Sequence, residues 1–259
     1  MKNGFTLVEL SIVLVIIGLL IGGILVGQSL IDSAKLNALV RQTQQYDSAI
    51  MAFKDKYKVL PGESGIVIPV RTSGTSTPAE KDGLITDDDQ NENTTYFSAT
   101  NAEEYMMVWK DLATLMNVKI KNCPNLATTT PVALTPQISG ANCNMPESEY
   151  GDNKNIVIVA ASYTTKVFTS DYKLGNAYFF VDCSSQTTST WSCMGAFTQP
   201  EAMAYDAKID DGKAESGFLT SRIRLNPSSV MRSLVTAPAA YDLTSKATMI
   251  TIQKFANGL

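Results

Sequence analysis

Few side chains in this sequence could do chemistry, and their placing is uneven. Four cysteines, Cys123, Cys143, Cys183 and Cys193, all fall in the C-terminal part, with no CxxC among them. In an oxidising compartment they predict two bridges. Three pairings are open, and the sequence-local one, Cys123–Cys143 with Cys183–Cys193, is the first choice; four buried free thiols are the alternative. Two acidic clusters suggest a hard cation, which wants about 6–8 oxygen ligands. Asp87, Asp89 and Asn91 begin like a calcium loop, but Glu92 stands where glycine is needed and Ser98 where the closing acid belongs, so that reading fails. Asp206, Asp210, Asp211 and Glu215 surround Gly212. A solvated acidic turn is preferred there over an irregular calcium site, and no metal is expected. The chain has no histidine, which removes Ser-His-Asp and Cys-His catalysis and His-ligated metals. No phosphate-binding glycine loop is present. Neither a cofactor nor an enzymatic activity is expected.

The remaining ionisable residue of interest is Glu9, the only charge in residues 5–31, FTLVELSIVLVIIGLLIGGILVGQSLI. As a helix this run is about 40 Å long, enough to cross a hydrocarbon core of about 30 Å. It exceeds the roughly 7–15 apolar residues of a secretory signal, and Gly27-Gln28-Ser29 fits a cleavage site poorly. A retained membrane-spanning helix follows. Lys2 precedes it while Lys35 and Arg41, offset by Asp32, follow it, so counting positive charges leaves the orientation open. A carboxylate in hydrocarbon costs about 2.5–3.5 kcal/mol and calls for a partner. The plainer reading has Glu9 turning back to the headgroups or favouring its own helix N-terminus.

Lys2, Gly4, Phe5 and Glu9, followed by the apolar run, resemble the N-terminal segment of the type IV pilin and pseudopilin family. The resemblance implies cleavage of residues 1–4 between Gly4 and Phe5 by a membrane prepilin peptidase on the cytoplasmic side, then N-methylation of Phe5. It implies a bacterial inner-membrane precursor with its head outside, as the cysteines favour. It also implies that Glu9 pairs with the Phe5 amine of a neighbouring subunit, setting the register of a filament. Family members often carry a proline late in this helix; here Val26 stands there, and only Gly18, Gly22, Gly23 and Gly27 offer weak points, each costing about 1 kcal/mol of helix propensity.

The elements behind this anchor are legible from periodicity. Leu36, Leu39, Tyr46, Ile50, Phe53, Tyr57 and Leu60 recur at helical spacing, with Lys35, Arg41, Gln42, Gln44, Asp47, Lys54 and Asp55 between them. One helix over 5–59, ended by Pro61-Gly62, is predicted, its second half having one apolar face. Residues 62–101 read as a connector and 102–118 as an amphipathic helix, with Trp109, like Trp191, assigned to the core. Strands are expected at Ile156–Ala161, Lys166–Thr169, Ala177–Cys183, Trp191–Phe197, Phe218–Leu225 and Thr248–Phe255, and a short helix at Gln199–Ala207. The fold class is α+β: a long helix packed on an antiparallel sheet, as the family resemblance also implies. The organisation expected is a leader 1–4, a span 5–31 and a head 32–259 that includes the amphipathic half of the helix. Three stretches, Tyr57–Glu63, Glu104–Ala113 and Asp206–Gly212, also look like larger pseudopilin-like members.

At 44% apolar and 18% charged residues the chain folds, and a formal charge of −4 disfavours duplex DNA as a partner. The expected function is a structural subunit of a type IV pilus or a type II secretion pseudopilus. Its partners would be like subunits and other pilins, the prepilin peptidase, an assembly platform, and lipid before assembly. The alternative is a minor or tip pilin whose head binds surfaces, DNA or secreted substrates.

Overall fold

The computed structural model describes residues 7–63, 83, 85, 104–121, 123, 145–151, 156–163, 174–182, 194–223, 240–244 and 248–255. The first helix, α1 (Leu7–Tyr57), runs unbroken for 51 residues, about 75 Å at the usual rise. It stops before Pro61. Lys58 turns left-handed (φ 62), and its N–H donates to the Lys54 carbonyl at 2.8 Å, closing the last turn as a glycine usually does. The chain beyond is pinned by acids: Leu60 N–H donates to Glu63 (2.8 Å) and Gly62 N–H to Asp111 (2.8 Å).

The head is an antiparallel sheet laid against the second half of α1. Its strands are β1 (Ile156–Tyr163), β2 (Leu174–Asp182), β3 (Met194–Gly195), β4 (Phe197–Thr198), β5 (Leu219–Ile223) and β6 (Thr248–Lys254). The path is β1-β2-β6-β4, with β3 also on β2 and β5 also on β6. Phe179 sits opposite Val159 on one side and Ile252 on the other. Helix α2 (Glu104–Leu115) and helix α3 (Gln199–Ile209) complete the α+β head. A pilin-like arrangement results: one long N-terminal helix, a small antiparallel sheet and shorter helices.

The expected strand Trp191–Phe197 is a correction. Its described part is two short strands parted at Ala196, β3 on β2 and β4 on β6. Gly195 permits the crossing, because a Cβ there would meet the Met249 backbone. The expected strand Lys166–Thr169 lies outside the described residues, as do Trp191 and most of the connector 62–101.

Leu39, Ile50, Phe53, Trp109, Leu112, Tyr178, Phe180, Phe197 and Tyr205 form one fully buried core. Tyr46 meets Trp109 edge-on at 4.8 Å, and Phe197 stacks on Tyr205 at 5.8 Å. Aromatic contacts of this kind add about 0.5–1.5 kcal/mol each beyond burial.

Candidate functional site

The functional region is the N-terminal half of α1 and its junction with the head. Among the described residues, none of the first half is buried. Leu7, Leu19 and Leu30 are 85%, 73% and 67% exposed, and α1 is the one helix among the described residues long and apolar enough to cross a membrane. Glu9 lies in its first turn. Ser11 returns its hydroxyl to the Val8 carbonyl at 2.9 Å, which lowers the cost of that polar group in lipid. Cβ atoms on Gly18, Gly22, Gly23 and Gly27 would meet nothing within 4 Å. Gly4 and Phe5 lie outside the described residues.

From Leu36 onward the same helix is buried on one face. The apolar stripe read from the sequence is that face, with Tyr57 only partly covered. Three residues assigned to the polar face or passed over also go inside: Gln42, Thr43 and Asp47. The Gln42 amide works as a two-way clamp. Its Nε2 donates to the Glu147 carbonyl, and its Oε1 accepts from the Glu149 N–H, both at 2.8 Å. Asp47 accepts from the Tyr178 hydroxyl at 3.0 Å. Burial and that carboxylate push the Tyr178 phenol well above its usual range, and burial pushes Tyr46 up to about 12. Thr43 could have been anticipated, since it fills the gap between Leu39 and Tyr46 in the three-four spacing. Gln42 and Asp47 gave no such signal.

Cys123 is disulfide-bonded, and its Sγ lies 3.1 Å from the Met145 carbonyl oxygen. Cys143, Cys183 and Cys193 lie outside the described residues, as do Asp87, Asp89, Asn91, Glu92 and Ser98.

Asp206, Asp210 and Asp211 do converge, each offering an oxygen within 4.8 Å of the others. Glu215 is exposed and not part of the group. The three acids serve the turn after α3. Asp206 accepts from the Tyr241 hydroxyl (2.8 Å) and Gly212 N–H (3.1 Å). Asp210 accepts from the N–H groups of Phe218 and Leu219, and Asp211 from Lys213 N–H (2.8 Å) and the Ser216 hydroxyl (2.7 Å). Gly217 must be glycine: its φ is +86, and a Cβ would run into Asp210. Burial pushes the Asp206 carboxyl up to about 6, against the pull of Tyr241 and Gly212. Exposed Asp211 is held below the usual carboxylate range by Ser216 and the Lys213 amide.

The chain therefore carries an exposed apolar half-helix with an acid in its first turn, continuous with a helix packed into a folded head. Residues 1–25 match the prokaryotic N-terminal methylation motif. The chain carries a prepilin cleavage signal. That signal is shared by type IV pilins and pseudopilins, and in general it implies processing by a prepilin peptidase, a membrane anchor and assembly with other pilins. No curated protein and no solved structure matches the chain.

Proposed function

We propose that this prepilin-type chain is a structural subunit of a type IV pilus or a type II secretion pseudopilus. Cleavage falls between Gly4 and Phe5, Phe5 is N-methylated, and the head stays on the outer face of the inner membrane. The new Phe5 amine pairs with Glu9 of an adjacent copy, cancelling two charges in an apolar setting and fixing the axial offset. Losing one partner would strand the other, at about 3–5 kcal/mol. The observation that carries this reading is the division of α1: no residue of Leu7–Ile31 is buried, and the stretch from Leu36 is packed into the head. Such a half-helix can exchange lipid for neighbouring helices without disturbing the head's core. Cys123–Cys143 and Cys183–Cys193 are the proposed bridges; the 3.1 Å approach of Cys123 to Met145, two residues past Cys143, supports the first.

The test is Glu9→Ala in the native cell, read by the mass of the N-terminal peptide and by filaments sheared from the surface. Processing should continue while assembly fails. Normal assembly would remove the charge-pair mechanism, and a mature chain beginning at Met1 would remove the whole reading.

A further inference from the structure

Asp206 is a buried carboxylate in an unfavourable place. It is 0% exposed. It stands in the last turn of α3, where its own carbonyl accepts the Asp210 N–H at 2.7 Å and the helix dipole disfavours a negative charge. An oxygen of Asp210 and one of Asp211 lie within 4.8 Å of its own. The groups bonded to it are neutral, the Tyr241 hydroxyl and the Gly212 N–H. Cations on the adjoining elements are held elsewhere. Asn37 and Ser33 hold Lys208, the Gly217 carbonyl holds Lys254, and Lys213 acts on exposed Asp211. Exposed Glu215 stands outside the group.

Tyr241 makes this carboxyl a joint between elements. Its hydroxyl also reaches Ser221 Oγ on β5 at 3.2 Å, and Ser221 Oγ lies 3.1 Å from Thr251 Oγ1 on β6. Ser221 and Thr251 are both buried. One residue on, the Asp242 N–H donates to Gln199 Oε1 at 2.7 Å. Segment 240–244 is thus fastened at both ends of α3, to its first residue and to its last turn. A neutral Asp206 can still accept from Tyr241 and Gly212, because each takes a different oxygen. Ionised, it strengthens those two bonds but adds a third negative charge beside Asp210 and Asp211 in a buried setting. Burial, with those neighbours, outweighs the two bonds and pushes the carboxyl up to about 6.

We propose that Asp206 and Tyr241 form a pH-sensitive latch. While Asp206 keeps its proton, the latch holds segment 240–244 and the turn 210–218 against α3 and the sheet; once Asp206 ionises, both open more readily. The closed state is fully favoured below about pH 4 and loses ground as pH rises through about 6. The device belongs to the head alone and does not depend on how the anchor is threaded through a membrane.

The full chain, disulfides intact, is held in detergent micelles. Amide hydrogen exchange is followed by peptide mass at about pH 5 and about pH 7.5, each rate divided by its intrinsic value. Peptides covering 210–219 and 240–244 should open about tenfold more often at the higher pH, the ratio expected of a carboxyl with a pKa of about 6 closed and 3.8 open. No rise in the wild-type chain overturns the latch. Asp206→Asn, which cannot ionise, should show no rise; the same rise there overturns the assignment to Asp206. Tyr241→Phe removes a donor to the charged form, so its rise should level off at a higher pH; levelling at the unchanged pH overturns the joint. At both pH values these peptides should exchange well ahead of one covering 46–53 on α1. Equal protection means that the head opens only as a whole, and overturns the latch.

Discussion

Leu19 and Leu39 lie on one unbroken helix, yet Leu19 is 73% exposed and Leu39 is 0% exposed. Neither half of α1 owes its form to the other. The first half is apolar all round, contains one charge, and has no buried residue. The second half alternates faces, and its buried side is partly polar, through Gln42, Thr43 and Asp47. A helix stabilised by lipid or by copies of itself can be uniformly greasy, because any apolar neighbour will do. A helix that must hold one head in one pose needs directional contacts, and buried amides and carboxylates supply them at the risk of large penalties when broken.

The sharpest break between the halves comes from Glu9→Ala. Surface filaments should be almost abolished, consistent with about 3–5 kcal/mol for a stranded charge, while the thermal unfolding of the head stays unchanged. Truncating isoleucine in each half should give the reverse. Ile50→Ala, in the core, should lower head stability by about 2–5 kcal/mol in urea unfolding of the full chain. Ile16→Ala should change that stability by less than about 0.5 kcal/mol. Gln42→Ala should cost about 1–3 kcal/mol, since it leaves the Glu149 N–H and Glu147 carbonyl without their clamp. Proteolysis within 145–151 should quicken in that variant.

The smallest effect is a pH slope confined to the head. Asp206 is held near 6, above its ordinary 3.8. Its contribution to stability is therefore fully present below about pH 4 and lost as pH rises through about 6. Asp206→Asn should flatten the stability profile across that window. Asp211, shifted the other way, acts only as pH falls below the ordinary carboxylate range, so it leaves the window clear.

The elements were largely legible because burial imposes a period on the sequence. The stripe from Leu36 to Phe53, the strands flanking Phe179 and Ile252, and the anchor all declared themselves that way. What stayed hidden depends on partners far along the chain. Gln42 finds its partners at Glu147 and Glu149, and Asp47 finds Tyr178. No local pattern distinguishes such a residue from a solvated one. The acidic turn was equally ambiguous, since sequence shows the carboxylates but not the backbone N–H groups that occupy them. The break at Ala196 was missed because it answers to the Met249 backbone approaching Gly195.

The left-handed Lys58 closes a rod that has no joint between anchor and head. Turning the anchor by one angle turns the head by the same angle, as a key turns with its shaft. The pattern of heads on the outside of any fibre built from this protein is then dictated by how the shafts pack inside it, and a substitution deep in the fibre would redraw its exterior without altering a single outward-facing residue.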